Sequence, residues 1–522
     1  MPCEPKNRLN LFKILTYPII LLVTIAFLVT VVFGQAKQAT RTGGSDPTGA
    51  TCDGNSPILK YNNGEYTCVG GVYTLTSVKR GTYALASLPT CAASSTNLTV
   101  NVSDADRIPR RCLNTTGSVY EWVRERKYIL AKDFGVVADD STPDQTALQA
   151  ALDAAQTYGL ELELPDGTIR LNTGVTYHVT AAGWGKPVRI RGAGARRTYF
   201  KAYFNSGPVL SLKGFSVTGG TNDLTDSVIE GFGIIQNSGQ TGVVGIRMQG
   251  VGYTKFNDLE INGLSSHGME TYQTGGTVDT DIVFMCEFDN VKLIGNSGAG
   301  FKTTASSGFL SFSQSKFRHC QAQQNVGGGF VLSNFDGIEF DKCIAVTNGS
   351  GGTGDGFTFS VNGITPRNII LRGCEIGNGN ERSGLRTGSI VGLISEQNRW
   401  ITNSGEAGSY AIEFDASASI IGFESRNDFI VAATASAFTA YQVGAAATCA
   451  SCTITAPRYD TWSGGTRTKY SDQSKFCITE SGQRFGNCSV KAEVISTGTP
   501  GTIAINGTVP YSHIDISGTG SY

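Results

Sequence analysis

Between residues 229 and 424 one pattern returns about every 28 residues, and it restricts the fold more than any other feature of the chain. An apolar anchor is followed at +3 and +5 by residues of inward type, at +8 by Asn, and then by a Gly that precedes another apolar residue. The clearest copies are Phe288, Val291, Leu293, Asn296 with Gly300-Phe301; Phe317, Cys320, Ala322, Asn325 with Gly329-Phe330; and Phe340, Cys343, Ala345, Asn348 with Gly356-Phe357. Looser copies start at Ile229, Phe256, Leu371, Ser395 and Glu424. Short strands and turns fit such a period, whereas a helix of adequate length does not. Stacking the copies at the spacing of paired strands, so that each coil satisfies the backbone of its neighbours, gives an all-β, right-handed parallel β-helix.

Repeated polar residues have a structural use in such a stack. Asn237, Asn296, Asn325, Asn348 and Asn403 are expected to form a ladder, since Asn tolerates the left-handed conformation and its amide bonds to the Asn above it. Cys320, Cys343 and Cys374 occupy the +3 position of successive coils, as small buried residues close enough for adjacent pairs to reach disulfide distance.

Ahead of the coils, Tyr128–Leu130 and Phe134–Val137 read as short strands. Thr142-Pro143-Asp144-Gln145 then reads as a capping box with Pro in the first helical position, opening a helix that stops at Gly159. Leu160, Leu162 and Leu164 alternate with Glu161 and Glu163 as a half-buried strand. The run from Asp133 to Leu152, DFGVVADDSTPDQTALQAAL, resembles the start of the pectate-lyase-superfamily β-helix proteins, a group that includes rhamnogalacturonase-like enzymes and phage tailspikes. Leu164 to Leu171 and Val188 to Gly194 continue the resemblance, which with the coils covers about 127–431. It implies that the helix caps the solenoid. Two positions depart from the family pattern: Asp140 stands where the family has Gly, and Pro143-Asp144 where it has two Asp. Folds of this group serve lyases, hydrolases, epimerases and non-catalytic fibres, so chemistry has to be argued from the site.

The residue after each inward apolar one must point outward. Read coil by coil, that position gives Arg247, Glu270, Lys302, Val331, Thr358, Arg386 and Glu413, five of them charged in a chain that is only 16% charged. This strip is the candidate groove. Along it Glu270 has no acidic neighbour in the adjacent coils, so the carboxyl pair of glycoside hydrolysis is not evident. β-Elimination needs a basic side chain and a cation that neutralises a uronate, for which Arg247, Glu270 and Lys302, with His267 nearby, are the catalytic candidates. Arg386, Glu413 and Tyr272 are the substrate-binding candidates. The plainer alternative is an ion-pair ladder that only stabilises exposed strands.

The remaining regions frame the solenoid. Residues 14–34 carry no charge and follow Lys6, Arg8 and Lys13, so 1–34 reads as a cleaved signal peptide or a single-pass membrane anchor with its N-terminus inside. The body is then extracellular or at the cell surface. Residues 35–126 read as a Gly/Ser/Thr-rich stalk with small β modules, and 432–522 as a C-terminal β cap or tail. The pairs Cys52 with Cys68, Cys91 with Cys112, Cys449 with Cys452, and Cys477 with Cys488 read as disulfides in that compartment. Asn97, Asn101, Asn114, Asn348, Asn487 and Asn506 are glycosylation sequons. With 42 Lys and Arg against 43 Asp and Glu, nucleic acid is not an expected partner. No metal or cofactor is expected. The chain is therefore expected to be a β-helix protein that binds, or binds and cleaves, an extracellular polysaccharide; a non-catalytic surface fibre, adhesin or structural filament protein; or a phage tailspike-like receptor-binding protein. Homo-oligomerisation is compatible with all three.

Overall fold

In the computed structural model each anchor pairs in parallel with the next up the stack: Ile229 with Phe256, then Phe288, Phe317, Phe340, Leu371 and Ser395. The eighth anchor is a correction, because Ser395 pairs with Ser425 and not with Glu424. Both serines are fully buried, and their hydroxyls donate to the buried Asp428 carboxyl at 2.6 Å each. A polar pair thus replaces the apolar anchor, which erases the hydrophobic period in that coil.

The structure describes residues 127–432 except the segments 179–186, 218–219, 274–280, 350–353 and 403–409 and the single positions 223, 305, 378 and 381; outside that range it describes short stretches between 38 and 126 and between 439 and 517. The chain divides into two compact units, 1–126 and 127–522. Among the described residues the first contains two four-stranded sheets, one built from Gln38–Arg41, Ile58–Tyr61, Gly64–Val69 and Val72–Val78, the other from Thr82–Tyr83, Thr99–Val102, Arg110–Thr116 and Val119–Arg124. Cys112 and Cys452 are disulfide-bonded, with partners outside the described side chains. Residues 14–34 also lie outside the described residues, and no described helix is long and apolar enough to cross a membrane.

The second unit is a parallel β-helix. One wall is a ten-stranded parallel sheet running from Val175–His178 to Thr439–Val443, and a larger sheet of parallel strands forms the rest of each coil. Inside, Phe256, Phe288, Phe317 and Phe340 stack with ring centroids 4.8, 4.5 and 4.7 Å apart, which is the strand spacing carried into the core. Parallel pairing runs on past Val431, since Tyr410 pairs with Thr439, Ser425 with Ile454 and Ile430 with Tyr459.

The corners are made by left-handed residues stacked in columns. Two residues after each anchor stand Gly231, Asp258, Asn290, His319, Lys342, Gly373, Gln397 and Asn427, all with φ between +49° and +73°. Each turns the chain sharply without interrupting the pairing on either side. The asparagine ladder obeys a similar rule, and here the expectation needs correcting twice. Asn296, Asn325 and Asn348 form it as expected, with Nδ2 of each donating to Oδ1 of the next at 2.9, 3.1 and 3.3 Å, but the fourth rung is Asn380. Asn237 is not a rung, because the same position one coil later is Leu264; Asn403 lies outside the described residues. The left-handed residue is moreover the one before each rung, Gly295, Gln324, Thr347 and Gly379, so the Asn side chains serve the ladder and not the bend.

Cys286, Cys320, Cys343 and Cys374 are free, buried thiols. Cys320, Cys343 and Cys374 stack without disulfides, each thiol donating to a carbonyl of the preceding coil, Phe288, Phe317 and Phe340.

The helix spans Gln145–Tyr158 and buries Leu148, Ala151, Leu152 and Ala155. Its start corrects the capping-box reading. Asp144 is the N-cap residue and Pro143 ends the strand Asp139–Pro143. The Asp144 carboxylate instead accepts from the Val137 and Ala138 N–H groups, closing the loop ahead of the helix. Gly159 ends it at φ +61° as expected. The helix covers the first edge of the ten-stranded sheet chemically as well as sterically: the Gln149 amide pairs with both the N–H and the carbonyl of Thr176, at 2.8 Å each. Asp140 sits at φ +62°, which accounts for glycine at this position in the family it resembles, and its carboxylate accepts from Lys201 at 2.7 Å.

Candidate functional site

The outward strip falls on the ten-stranded wall in the order read from the sequence. Arg247 pairs with Glu270, Glu270 with Lys302, Lys302 with Val331, Val331 with Thr358, Thr358 with Arg386, and Arg386 with Glu413. Two charged clusters lie along it, with Lys302 and Thr358 about 10 Å apart, two strand spacings.

At the first cluster the Arg247 Nε meets Glu270 Oε1 at 2.5 Å, and the Glu270 side chain is only 6% exposed. The guanidinium also lies 4.3 Å over the Tyr272 ring, so one face of that ring is taken by protein. The imidazole of His267 accepts the Ala299 N–H on Nδ1 at 2.9 Å, and its Nε2 is 3.3 Å from Lys302 Nζ. Burial, with the positive charges of Lys302 and Arg247, lowers His267 to about 4, so the ring is neutral in ordinary buffers. The four catalytic candidates are therefore adjacent, but Glu270 is engaged as the counter-ion of Arg247.

The second cluster holds residues that the sequence reading missed. Asp355, 2% exposed, accepts the Ser383 N–H at 2.9 Å and the Thr358 hydroxyl at 3.2 Å. The Ser383 hydroxyl donates to Glu413 Oε2 at 2.7 Å. Arg382 approaches Glu413 at 3.7 Å, while Arg386 lies 4.0 Å from Glu413 and 2.7 Å from Asp415. Ser383 bonds to both carboxyl groups, through its N–H to Asp355 and through its hydroxyl to Glu413, which caps their separation at about 9 Å, the upper end of the spacing glycosidases use. Burial pushes the Asp355 carboxyl up to about 6 and the Glu413 charge adds to this, against the opposing Ser383 N–H and Arg382 charge. Arg386 and Glu413, expected to bind substrate, thus belong to a three-carboxyl, two-arginine cluster.

Two signals would have found it. Asp355 immediately precedes the Gly356-Phe357 pair that marks the coil, and Asp415 is two residues after Glu413, hence on the same face of the chain. Among the described residues no group of three His, Cys, Asp or Glu side chains is placed to hold a metal ion.

No protein-family model matches the chain, and no curated protein matches it. Solved structures do. The ORF18 protein of Geobacillus virus E2 aligns at 14% identity over 80% of this chain and 74% of its own, with a TM-score of 0.42. The A-module of the Azotobacter vinelandii mannuronan C-5 epimerase AlgE6 aligns at 16% over 71% of this chain and 100% of its own, at 0.43. Tailspike protein 2 of an Escherichia coli O157:H7 bacteriophage aligns at 11% over 95% of this chain and 67% of its own, at 0.46.

Proposed function

We propose that the chain is a polysaccharide-binding β-helix protein that hydrolyses glycosidic bonds at the Asp355, Glu413 and Asp415 cluster. The observation that carries this reading is one buried carboxyl favouring its acid form, linked through a single serine to a second carboxyl held among arginines. Asp355 is the proton donor: it protonates the glycosidic oxygen as the C–O bond breaks. Glu413 on the sugar-ring side is the base: it takes a proton from a water whose oxygen bonds to the anomeric carbon, and proton exchange with solvent returns Asp355 to its acid form. The strip from Arg247 to Glu413 is long enough, at about 29 Å for six strand spacings, to lie under several sugar units.

The test is to incubate the full chain with a panel of polysaccharides and measure new ends. Saturated reducing ends are expected, with a drop of at least about a thousandfold in Asp355→Asn and Glu413→Gln at retained binding. Unsaturated ends would assign a lyase, and the absence of product across the panel would remove the catalytic claim.

One observation favours a second, non-catalytic reading. The other face of the solenoid carries ion pairs of the same kind, Arg189 with Glu230 at 2.7 Å and Arg372 with Glu396 at 3.0 Å, where stabilisation of stacked strands is a sufficient role. As a fibre or adhesin the protein would keep full target binding when Arg247, Glu270 and Lys302 are neutralised together. Both readings place the body outside the cell, delivered by residues 14–34 as a cleaved signal or an anchor. Fractionation with N-terminal sequencing distinguishes these, and non-reducing peptide mapping tests the four local disulfides.

A further inference from the structure

We infer that Lys302 and His267 form a seat for the anionic group of an acidic glycan, carboxylate or sulfate, about two sugar units from the bond that is cut. The inference rests on reading the strip as the glycan-binding surface, and it names the substrate class of that surface.

Two hydrogen-bond donors meet at the first cluster. His267 Nδ1 accepts the Ala299 N–H, so in the neutral ring the proton sits on Nε2. That N–H lies 3.3 Å from the Lys302 amine, itself a group with donors only when charged. Two donors therefore converge, and among the described residues no acceptor bridges them. The surrounding protein does not resolve the conflict. Arg247 takes the Glu270 carboxylate, Arg386 takes Asp415, and Arg382 faces Glu413. Among the described residues, Lys302 is the cation of the strip that has no carboxylate within ion-pair distance. The ring's low proton affinity, set first by burial, keeps it from adding a second positive charge next to the lysine. An anionic oxygen placed between Nζ and Nε2 would accept from both groups and convert a poor contact into two charge-assisted hydrogen bonds.

Position supplies the rest. Lys302 is on the strip by register, next to Val331, which precedes Thr358 and hence the Asp355 carboxyl. A distance of about 10 Å is two strand spacings and about the length of two sugar units, so the seat reads a substituent away from the reacting bond. Remote binding of this kind sets affinity and register along the chain without taking part in the chemistry.

The experiment measures retention of the full-length protein on immobilised polygalacturonate, polysialic acid and heparin, on their carboxyl-reduced or desulfated counterparts, and on dextran. Retention on at least one charged glycan is expected, weakened at least tenfold by removing its carboxyl or sulfate groups, and the counterpart that weakens it identifies which anion is read. Lys302→Met should lower affinity for the charged glycan at least tenfold while leaving its neutral counterpart within twofold. Lys302→Arg should recover most of the loss, which shows that charge and not folding is at issue. Unchanged discrimination in Lys302→Met, or failure of Lys302→Arg to recover, overturns the seat. Binding to dextran alone, abolished by Thr358→Arg but not by Lys302→Met, overturns the seat and leaves the strip reading intact. Retention on no glycan at all overturns both.

Discussion

Single side chains in this protein are constrained from above and below at once, and the asparagine ladder shows how strongly. Asn325 Nδ2 donates to Leu293 O at 2.9 Å and to Asn348 Oδ1 at 3.1 Å, while its own Oδ1 accepts from the N–H and the amide of Asn296 at 3.1 and 2.9 Å. Asn325→Ala strands these partners in a core that water does not reach. A loss of about 3 kcal/mol or more is expected in denaturant unfolding, against about 0.5 kcal/mol or less for an exposed strand Asn such as Asn257. The rungs at Asn296, Asn325 and Asn348 were legible because their coils keep a strict +8 spacing. Asn380 was not, because its coil holds one more residue before the rung, and periodicity cannot see an insertion until the neighbouring coil fixes the register. Asp355 escaped for a related reason: it lies in a turn, where the alternation that revealed Arg247 to Glu413 has no force.

The strands and their corners set a different limit. A corner requires a left-handed residue, yet not every left-handed glycine is there for its conformation alone. At Gly373, φ is +60° and an added Cβ would meet only the Lys342 Cγ at 3.6 Å. At Gly377, φ is +110° and the Cβ would fall 1.8 Å from the Ile401 carbonyl oxygen. Gly373→Ala is therefore expected to cost about 1 kcal/mol, the price of the left-handed backbone, in a position where Lys342 and Gln397 already tolerate it. Gly377→Ala should cost more than about 3 kcal/mol or displace the strand Arg399–Thr402, because the two coils cannot approach. Equal costs in thermal unfolding would show that conformation and not close approach governs both. The sequence marked these elements through their apolar anchors and failed where polar residues replace them, as at Ser395 and Ser425. Their hydroxyls need Asp428, three residues after Ser425, for the core to close, and a hydrophobic pattern contains no record of that bond.

In the second unit the stacked coils give one wall a row of outward side chains at strand spacing, and a buried carboxyl beside that row couples the fold to pH. Asp355 should make the protein less stable as pH rises. Its carboxyl is raised from 3.8 to about 6 by burial, so between those values the folded chain holds a proton that the unfolded chain has released. Stability from this group is complete below the unfolded value and is lost as pH rises through the folded one, by at most about 3 kcal/mol. Asn in its place keeps an acceptor for the Ser383 N–H and has no charge to bury. A residue that serves only the fold would lose stability on replacement, whereas one held for chemistry would not. The most direct measurement is therefore the unfolding free energy of Asp355→Asn against the parent from pH 4 to 8, with glycan cleavage followed on the same samples. The expected variant is at least as stable as the parent at pH 7, with a flatter pH dependence and cleavage reduced by at least about a thousandfold. A variant that is destabilised at pH 7, or that cleaves at the parent's rate, would contradict that expectation.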